Sequence, residues 1–305
     1  MANKRGVRVC VPAKINLHLR VGQPMPDGFH GLVSWMTTLK LFDTLTLVGG
    51  SPGAFAMDLQ CDDPSLSCDQ SNLVVRAGQA LAGALAGGDD RQVGRVSAAL
   101  LKRIPAGAGL GGGSSDAAGA LRGLDRLWSS HWDPRALADL SVQLGSDVPF
   151  FFYQPSAVCT GRGQFVRPTP PPAAPWAALF LTGIHMPTPA VYRQFDSMKL
   201  GGNDAWLDEP DWRAWAELPA GRLLGLLVND LEAPAFALCP ELRSWRDRLE
   251  TALARPVRMS GSGSALFTLY DSPDDAQAAC EAAAACGVRA TAHRLAPKVA
   301  DVTEL

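Results

Sequence analysis

Between Ala106 and Leu121 the chain reads AGAGLGGGSSDAAGAL: Gly107, Gly109, Gly111, Gly112 and Gly113 run into Ser114, Ser115 and Asp116, then into residues that favour a helix. Each glycine gives up more backbone entropy on folding than any other residue, on the order of 0.5–1 kcal/mol against alanine, so the run must secure something in return. A compact glycine turn that opens a helix gathers several backbone N–H groups beside the positive end of that helix, which makes a seat for phosphate oxygens. No lysine follows the last glycine, so this is not the G-x-x-x-x-G-K-[ST] loop. A dinucleotide fingerprint would need an acidic residue about twenty positions on, where only Asp125 and Asp133 stand. The bland alternative is a flexible surface turn. A second turn, SGSGS at 260–264, lies between Met259 and ALFTLY and is expected to buttress a ligand or the first glycine loop, although linkers share that composition.

Two charged residues stand in apolar surroundings. Lys14, in PAKINL, would be costly to bury without an anionic partner, and Asp147 precedes VPFFF directly after a helix stop. If the two meet, each explains how the other stays charged. A solvated lysine and an aspartate capping the next turn are the ordinary alternatives. Asn16 shares the strand face of Lys14. Phe29 and His30, in DGFH, offer a flat ring and a ring nitrogen on one turn, although a buried phenylalanine beside a surface histidine is the commoner case.

These residues need elements to hold them. Residues 14–21, KINLHLRV, alternate strictly, with Ile15, Leu17, Leu19 and Val21 on one face and Lys14, Asn16, His18 and Arg20 on the other, which predicts a strand with one wet side. A turn at 24–31 leads to one or two more strands over 32–48. Asn72 is expected to cap a helix that Gly87 and Gly88 end, and a strand over 93–101 leads into the glycine turn. Beyond that turn, Ala117, Ala118, Leu121, Leu124, Leu127 and Trp128 share a helical face, and Asp133, Pro134 and Gly145 delimit a second helix. The proline cluster RPTPPPAAP at 167–175 is either a linker or a rigid surface loop. It divides the chain into expected domains of 1–166 and 167–305. The second contains a strand at 176–184, a helix from about Pro189, a Trp-rich helical region over 208–250, an Ala-rich helix at 274–285 and a strand over 287–295. Strands and helices alternate without a strict βα repeat, so an α+β arrangement is expected.

The 305 residues carry a formal charge of −2 and no long basic run, which argues against nucleic acid or an anionic membrane as the main partner. No apolar stretch approaches the length of a spanning helix and none of signal-peptide kind opens the chain, so a cytoplasmic protein is expected. Seven cysteines without a CxxC pair and five scattered histidines give neither a disulfide framework nor a zinc site.

PAKINLHL, DGFHGL, IPAGAGLGGGSSDAA, LGSDVPFF, GRGQ, NDLE at 229–232 and MSGSGSALF, in that order, resemble the segments of the 4-diphosphocytidyl-2-C-methyl-D-erythritol kinases. These belong to the superfamily that also contains galactokinase, homoserine kinase, mevalonate kinase and phosphomevalonate kinase. The resemblance spans residues 9 to 295. It implies a two-domain α+β small-molecule kinase with its active site in the interdomain cleft. It assigns ATP, with Mg²⁺, to the glycine loop: Pro105, Gly107, Gly109, Leu110, Gly111, Gly112, Gly113, Ser114, Ser115 and Asp116, with Ser115 a phosphate or metal contact. It matches Lys14 and Asp147 to a catalytic pair and Asn16 to a residue near the methylerythritol. Phe29, His30, Thr188, Pro189 and Tyr192 match a cytidine pocket, with Phe29 where tyrosine is common, Tyr192 where phenylalanine is frequent and Ser146 where alanine is usual. The implied reaction moves the ATP γ-phosphoryl to the 2-hydroxyl of the methylerythritol portion, and the implied partners are small molecules, with a monomer or a dimer both open. Another small-molecule kinase of the superfamily and a non-catalytic binding relative are the rival expectations.

Overall fold

The computed structural model describes residues 5–26, 28–86, 93–201, 208–299 and 302–305. Two very long strands, β1 (Gly6–Pro24) and β2 (His30–Gly49), form an antiparallel pair joined by a tight turn in which the Phe29 carbonyl accepts from the Met25 N–H at 2.6 Å. Then follow β3 (Ala56–Cys61), α1 (Leu73–Leu85), β4 (Arg95–Leu101), α2 (Gly112–Trp128), α3 (Pro134–Ser141), a 3-10 turn at Pro149–Phe152, β5 (Ser156–Gly161) and β6 (Phe165–Pro168). The length of β2 lets it serve two further partners: Thr44–Gly49 pair with β4, and Leu32–Thr37 with β5. β3 runs parallel to β4, with α1 as the connection between them.

A second sheet begins at β7 (Trp176–Leu181) and is completed after α4 (Thr188–Ser197), α5 (Trp212–Ala216), α6 (Ala220–Leu226), α7 (Glu232–Leu238) and α8 (Pro240–Leu253) by β8 (Arg258–Met259) and β9 (Leu266–Tyr270). After α9 (Pro273–Ala285) comes β10 (Arg289–Arg294), giving the order β10–β7–β9–β8. A final strand, β11 (Thr303–Glu304), returns to the first sheet and pairs with β1. One buried cluster packs α1, α2 and α3 on the first sheet. Another packs Ile15, Leu17, Trp35 and Leu39 of the first sheet with Leu179, Phe267 and Leu269 of the second. A third fills the far face of the second sheet under α4, α8 and α9.

The helix starts follow the residues expected, but α3 stops at Ser141, with Val142 as its C-cap, short of the expected Gly145. The Asn72 side chain accepts from the Val74 N–H at 2.9 Å, and Asp133 accepts from Arg135 with Pro134 at the first helical position. The stop expected at Gly87 and Gly88 lies outside the described residues. Of the two readings of the proline cluster, the structure has the pinned loop. Thr169 N–H donates to Ser156 O (3.1 Å), Ala173 N–H to Ala216 O (2.6 Å), and Ala174 is buried.

The wet face expected for the first strand is corrected. Lys14, Asn16 and His18 are all buried, and only Arg20 is partly open. Period-two alternation says which side chains share a face, not what covers it. Here the polar face meets the glycine loop, through the Lys14 N–H donating to Leu110 O (2.9 Å), and meets α5, whose Trp212 and Trp215 set their rings edge-on to His18. A register shift between Asn16 and His18 also breaks the alternation at Leu17.

Candidate active site

The glycine run becomes a looped approach to α2. Gly111 forms the N-cap in a left-handed conformation (φ 68°) without any side-chain cap, so the first N–H groups of α2 have no side chain competing for them. Its missing Cβ has a second use: that atom would stand 2.8 Å from Cγ of Lys14, so only glycine lets the lysine stem lie against the loop. Gly109 (φ +76°) is tighter still, since a Cβ there would sit 2.2 Å from the carbonyl oxygen of Ser260. The second turn thus buttresses the first, one of the roles expected of it. Ser260 Oγ donates to Gly109 O (2.9 Å) and accepts from the Asn16 N–H (3.2 Å), while the Ala265 N–H donates to Ala108 O (3.0 Å).

Lys14 and Asp147 meet. Lys14 Nζ stands 3.1 Å from Asp147 Oδ2, with the lysine side chain 4% and the aspartate 37% exposed. The 3-10 turn after Asp147 has no side-chain cap, so the acid is engaged with the ammonium, not spent on the backbone. Lys14 Nζ also donates to Asn16 Oδ1 at 2.6 Å, and Asn16 Nδ2 to Ser34 Oγ at 2.8 Å, which fixes the orientation of the amide. A cavity of about 540 Å³ opens over this group, lined by Lys14, Asn16, Asp147, Pro105, Gly107 to Ser114, Asp116, Thr188 and Tyr192. Leu66, Ser67, Ser71, Asn72 and Leu73 also line it, Leu73 Cδ1 standing 3.5 Å from the Cβ position of Gly113.

Not every expected residue lines that cavity. Phe29, His30, Pro189 and Ser115 stand outside its lining. Ser115 is buried at the start of α2, its N–H closes the helix by donating to Gly111 O, and its Oγ has no hydrogen-bond partner. His30 is buried, with Nδ1 donating to Gly22 O (2.8 Å), Nε2 3.3 Å from Asp196 Oδ1, and its ring 5.1 Å from that of Tyr192. Burial and the charge of Asp147 raise the Tyr192 phenol, which keeps its proton. Thr188 Oγ1 is 2.7 Å from Ser262 Oγ, tying the start of α4 to the second glycine turn. Phe29 projects from its turn and is 52% exposed.

Sequence reasoning missed a buried cluster beneath the loop. Lys102 Nζ pairs with both Asp43 Oδ2 and Asp116 Oδ2, the latter at 2.7 Å, and Asp43 Oδ1 accepts from the Arg103 and Ile104 N–H groups. Burial pushes the Asp116 carboxyl up to about 7, with Asp43 adding repulsion. Burial also works to lower Lys102, but the charges of Asp116 and Asp43 outweigh it and hold the ammonium raised. Asp116 therefore enters α2 as the partner of Lys102, its Oδ1 without a hydrogen-bond partner beside the cavity. The one available signal was Asp43 itself, a charge set in the apolar strand run LFDTLTLV.

A glycine turn that leaves the first N–H groups of α2 uncapped, beside an ammonium–carboxylate pair between two sheets, fits a small-molecule kinase. Residues 72–155 match the GHMP kinases N terminal domain and residues 212–289 the GHMP kinases C terminal domain, which gives the class. The 4-diphosphocytidyl-2-C-methyl-D-erythritol kinase of Thermus thermophilus is 39% identical over 284 residues, covering 90% of this chain and 92% of its own. That of a Nocardioides species is 36% identical over 87% of this chain and 89% of its own. A crystal structure of 4-(cytidine 5'-diphospho)-2C-methyl-D-erythritol kinase superposes with a TM-score of 0.71 at 36% identity, covering 95% of this chain and 99% of that one. Homoserine kinase from Cytophaga hutchinsonii, at 16% identity and a TM-score of 0.72, shares the fold. The chain belongs to the 4-diphosphocytidyl-2-C-methyl-D-erythritol kinase family.

Proposed function

We propose that the protein transfers the γ-phosphoryl group of ATP to the 2-hydroxyl of 4-diphosphocytidyl-2-C-methyl-D-erythritol, giving ADP and the 2-phosphate. This is a step of the non-mevalonate route to isoprenoid precursors, and we assign it to the cytoplasm; among the described residues no helix is long and apolar enough to cross a membrane. The observation that carries the reading is the 3.1 Å Lys14–Asp147 pair opening into the same cavity as the glycine cradle. The bodies on either side of that cavity are taken as 1–166 and 167–305, apart from the last strand, which pairs back onto β1.

Phosphoryl transfer asks for positioning and charge neutralisation more than for covalent chemistry from the protein. The N–H groups of 107–113 hold the phosphate chain, and the part of the cavity lined by Ser67, Ser71 and Asn72 takes the adenosine. A carboxylate is too weak a base to hold an alkoxide in the ground state. Asp147 therefore orients the acceptor hydroxyl and accepts its proton as the bond to phosphorus forms. Lys14 keeps Asp147 ionised and steadies charge on the transferred oxygens. Asn16, locked by Lys14 and Ser34, presents its amide to the polyol. Phe29, His30, Thr188, Pro189 and Tyr192 hold the cytidine.

No group of three or more His, Cys, Asp or Glu side chains able to cage a metal stands among the described residues. Yet the unpartnered oxygens of Ser115 and Asp116 at the start of α2 suit an ion held mainly by the nucleotide. These two residues would hold Mg²⁺, which neutralises phosphate charge when bound. ADP release, measured with Mg²⁺ and ATP against the cytidylyl substrate, mevalonate, homoserine and galactose, tests the reading. Turnover with the cytidylyl substrate alone is expected, and preference for any other acceptor would overturn it.

A further inference from the structure

Arg162 has no part in the roles above, yet it joins two halves of the acceptor site. It stands in the tight turn between β5 and β6, where the Gly163 N–H donates to Thr160 O (3.0 Å) and the Arg162 N–H donates to Gln164 Oε1 (2.6 Å). The turn is pressed against the acid. Gly163 has φ +110°, a Cβ on it would stand 3.0 Å from the carbonyl oxygen of Ser146, the residue before Asp147, and it lines the cavity. From this turn the guanidinium lies over the Phe29 ring, 4.5 Å from its centroid, within the range of a cation–π contact. One side chain therefore reaches from a turn packed against the residue before the acid to the ring proposed to hold the base.

The proposed substrate is a base and a polyol joined by a diphosphate. With the base at Phe29, His30 and Tyr192 and the hydroxyl at Asp147, the diphosphate has to cross the ground between them, close to a carboxylate of its own sign. Lys14 is already committed to Asp147 and Asn16. A guanidinium is the side chain that answers phosphate oxygens with paired N–H donors while keeping its face on an aromatic ring. We infer that Arg162 binds the diphosphate of the cytidylyl substrate, and so sets a preference for anionic cytidine ligands over the uncharged nucleoside. The inference rests on the function proposed above and adds the residue that reads the linker.

Competitive inhibition by CDP and by cytidine separates the charge from the base. In the wild type, CDP is expected to inhibit at least about tenfold more tightly than cytidine, with the gap narrowing as salt is raised. Arg162→Gln, which keeps a polar but shorter and uncharged side chain, and Arg162→Ala abolish the gap and raise KM for the cytidylyl substrate about tenfold. KM for ATP and kcat stay within about threefold, and Arg162→Lys restores part of the preference. Equal weakening of CDP and cytidine would reduce Arg162 to a support for Phe29 and overturn the inference. So would variants indistinguishable from a wild type that does turn over the cytidylyl substrate. A wild type that neither turns over that substrate nor responds to CDP or cytidine overturns the proposed function as well.

Discussion

Lys14 and Asp147 are the two side chains on which the proposed chemistry turns, and their 3.1 Å arrangement is testable one atom at a time. Asp147→Asn keeps the shape and removes the proton acceptor, so kcat is expected to fall by about 10²-fold or more while both KM values stay within about threefold. Steady-state kinetics decides it, and near-normal turnover would rule out the role. Lys102 makes a different prediction. Lys102→Met leaves Asp43 and Asp116 buried without their cation, a change expected to cost about 3–5 kcal/mol in urea unfolding; a loss under about 1 kcal/mol would show that the cluster does not hold the loop. Both members of the first pair were legible in the sequence, because a lysine in PAKINL and an aspartate before VPFFF have no cheap place to go alone. Lys102 was not, since a lysine in LLKRIP reads as an ordinary surface residue, and Asp43, although set in the apolar run LFDTLTLV, names no partner by itself.

At the scale of elements, the glycine loop works because two turns interlock. Gly109→Ala would drive a methyl into Ser260 O from a left-handed backbone, and is expected to lower stability by about 2 kcal/mol or more and raise KM for ATP by at least about tenfold. Gly83 is the control: it is exposed within α1 with nothing within 4 Å of its Cβ position, so Gly83→Ala should stabilise by up to about 1 kcal/mol. Urea midpoints of the two variants moving in opposite directions is the expected result, and a shared direction would contradict the contact geometry. Caps and helix starts could be read locally because Asn72, Asp133 and Pro134 act within one turn. The burial of the polar face of β1 could not, because α5 and the glycine loop, which cover it, lie far along the chain.

For the molecule as a whole, His18 marks where the first sheet meets the helices of the second half. Its Nδ1 accepts from the Val228 N–H, and burial, helped by Arg20, lowers its pKa from 6.5 to about 4. The unfolded chain therefore takes this proton first as pH falls: the stability is intact above about 6.5 and is lost toward 4, by about 2 kcal/mol between pH 7 and 5. Asp116 works in the opposite sense over the same window, because its folded carboxyl binds a proton well before the unfolded one. The difference between wild type and His18→Gln isolates the histidine, and the variant should lose about 2 kcal/mol less than wild type from pH 7 to 5; identical pH profiles would contradict its burial as a neutral ring. The α+β character followed from strand and helix periods, whereas the order of the second sheet and the pairing of β11 with β1 rest on long-range contacts that no local pattern records. The most direct measurement is a crystal structure with a non-hydrolysable ATP analogue and 4-diphosphocytidyl-2-C-methyl-D-erythritol bound together. The triphosphate should lie on the N–H groups of 107–113, with the 2-hydroxyl in hydrogen-bond reach of Asp147 and facing the terminal phosphorus. A triphosphate seated elsewhere, or a different hydroxyl at Asp147, would contradict the account.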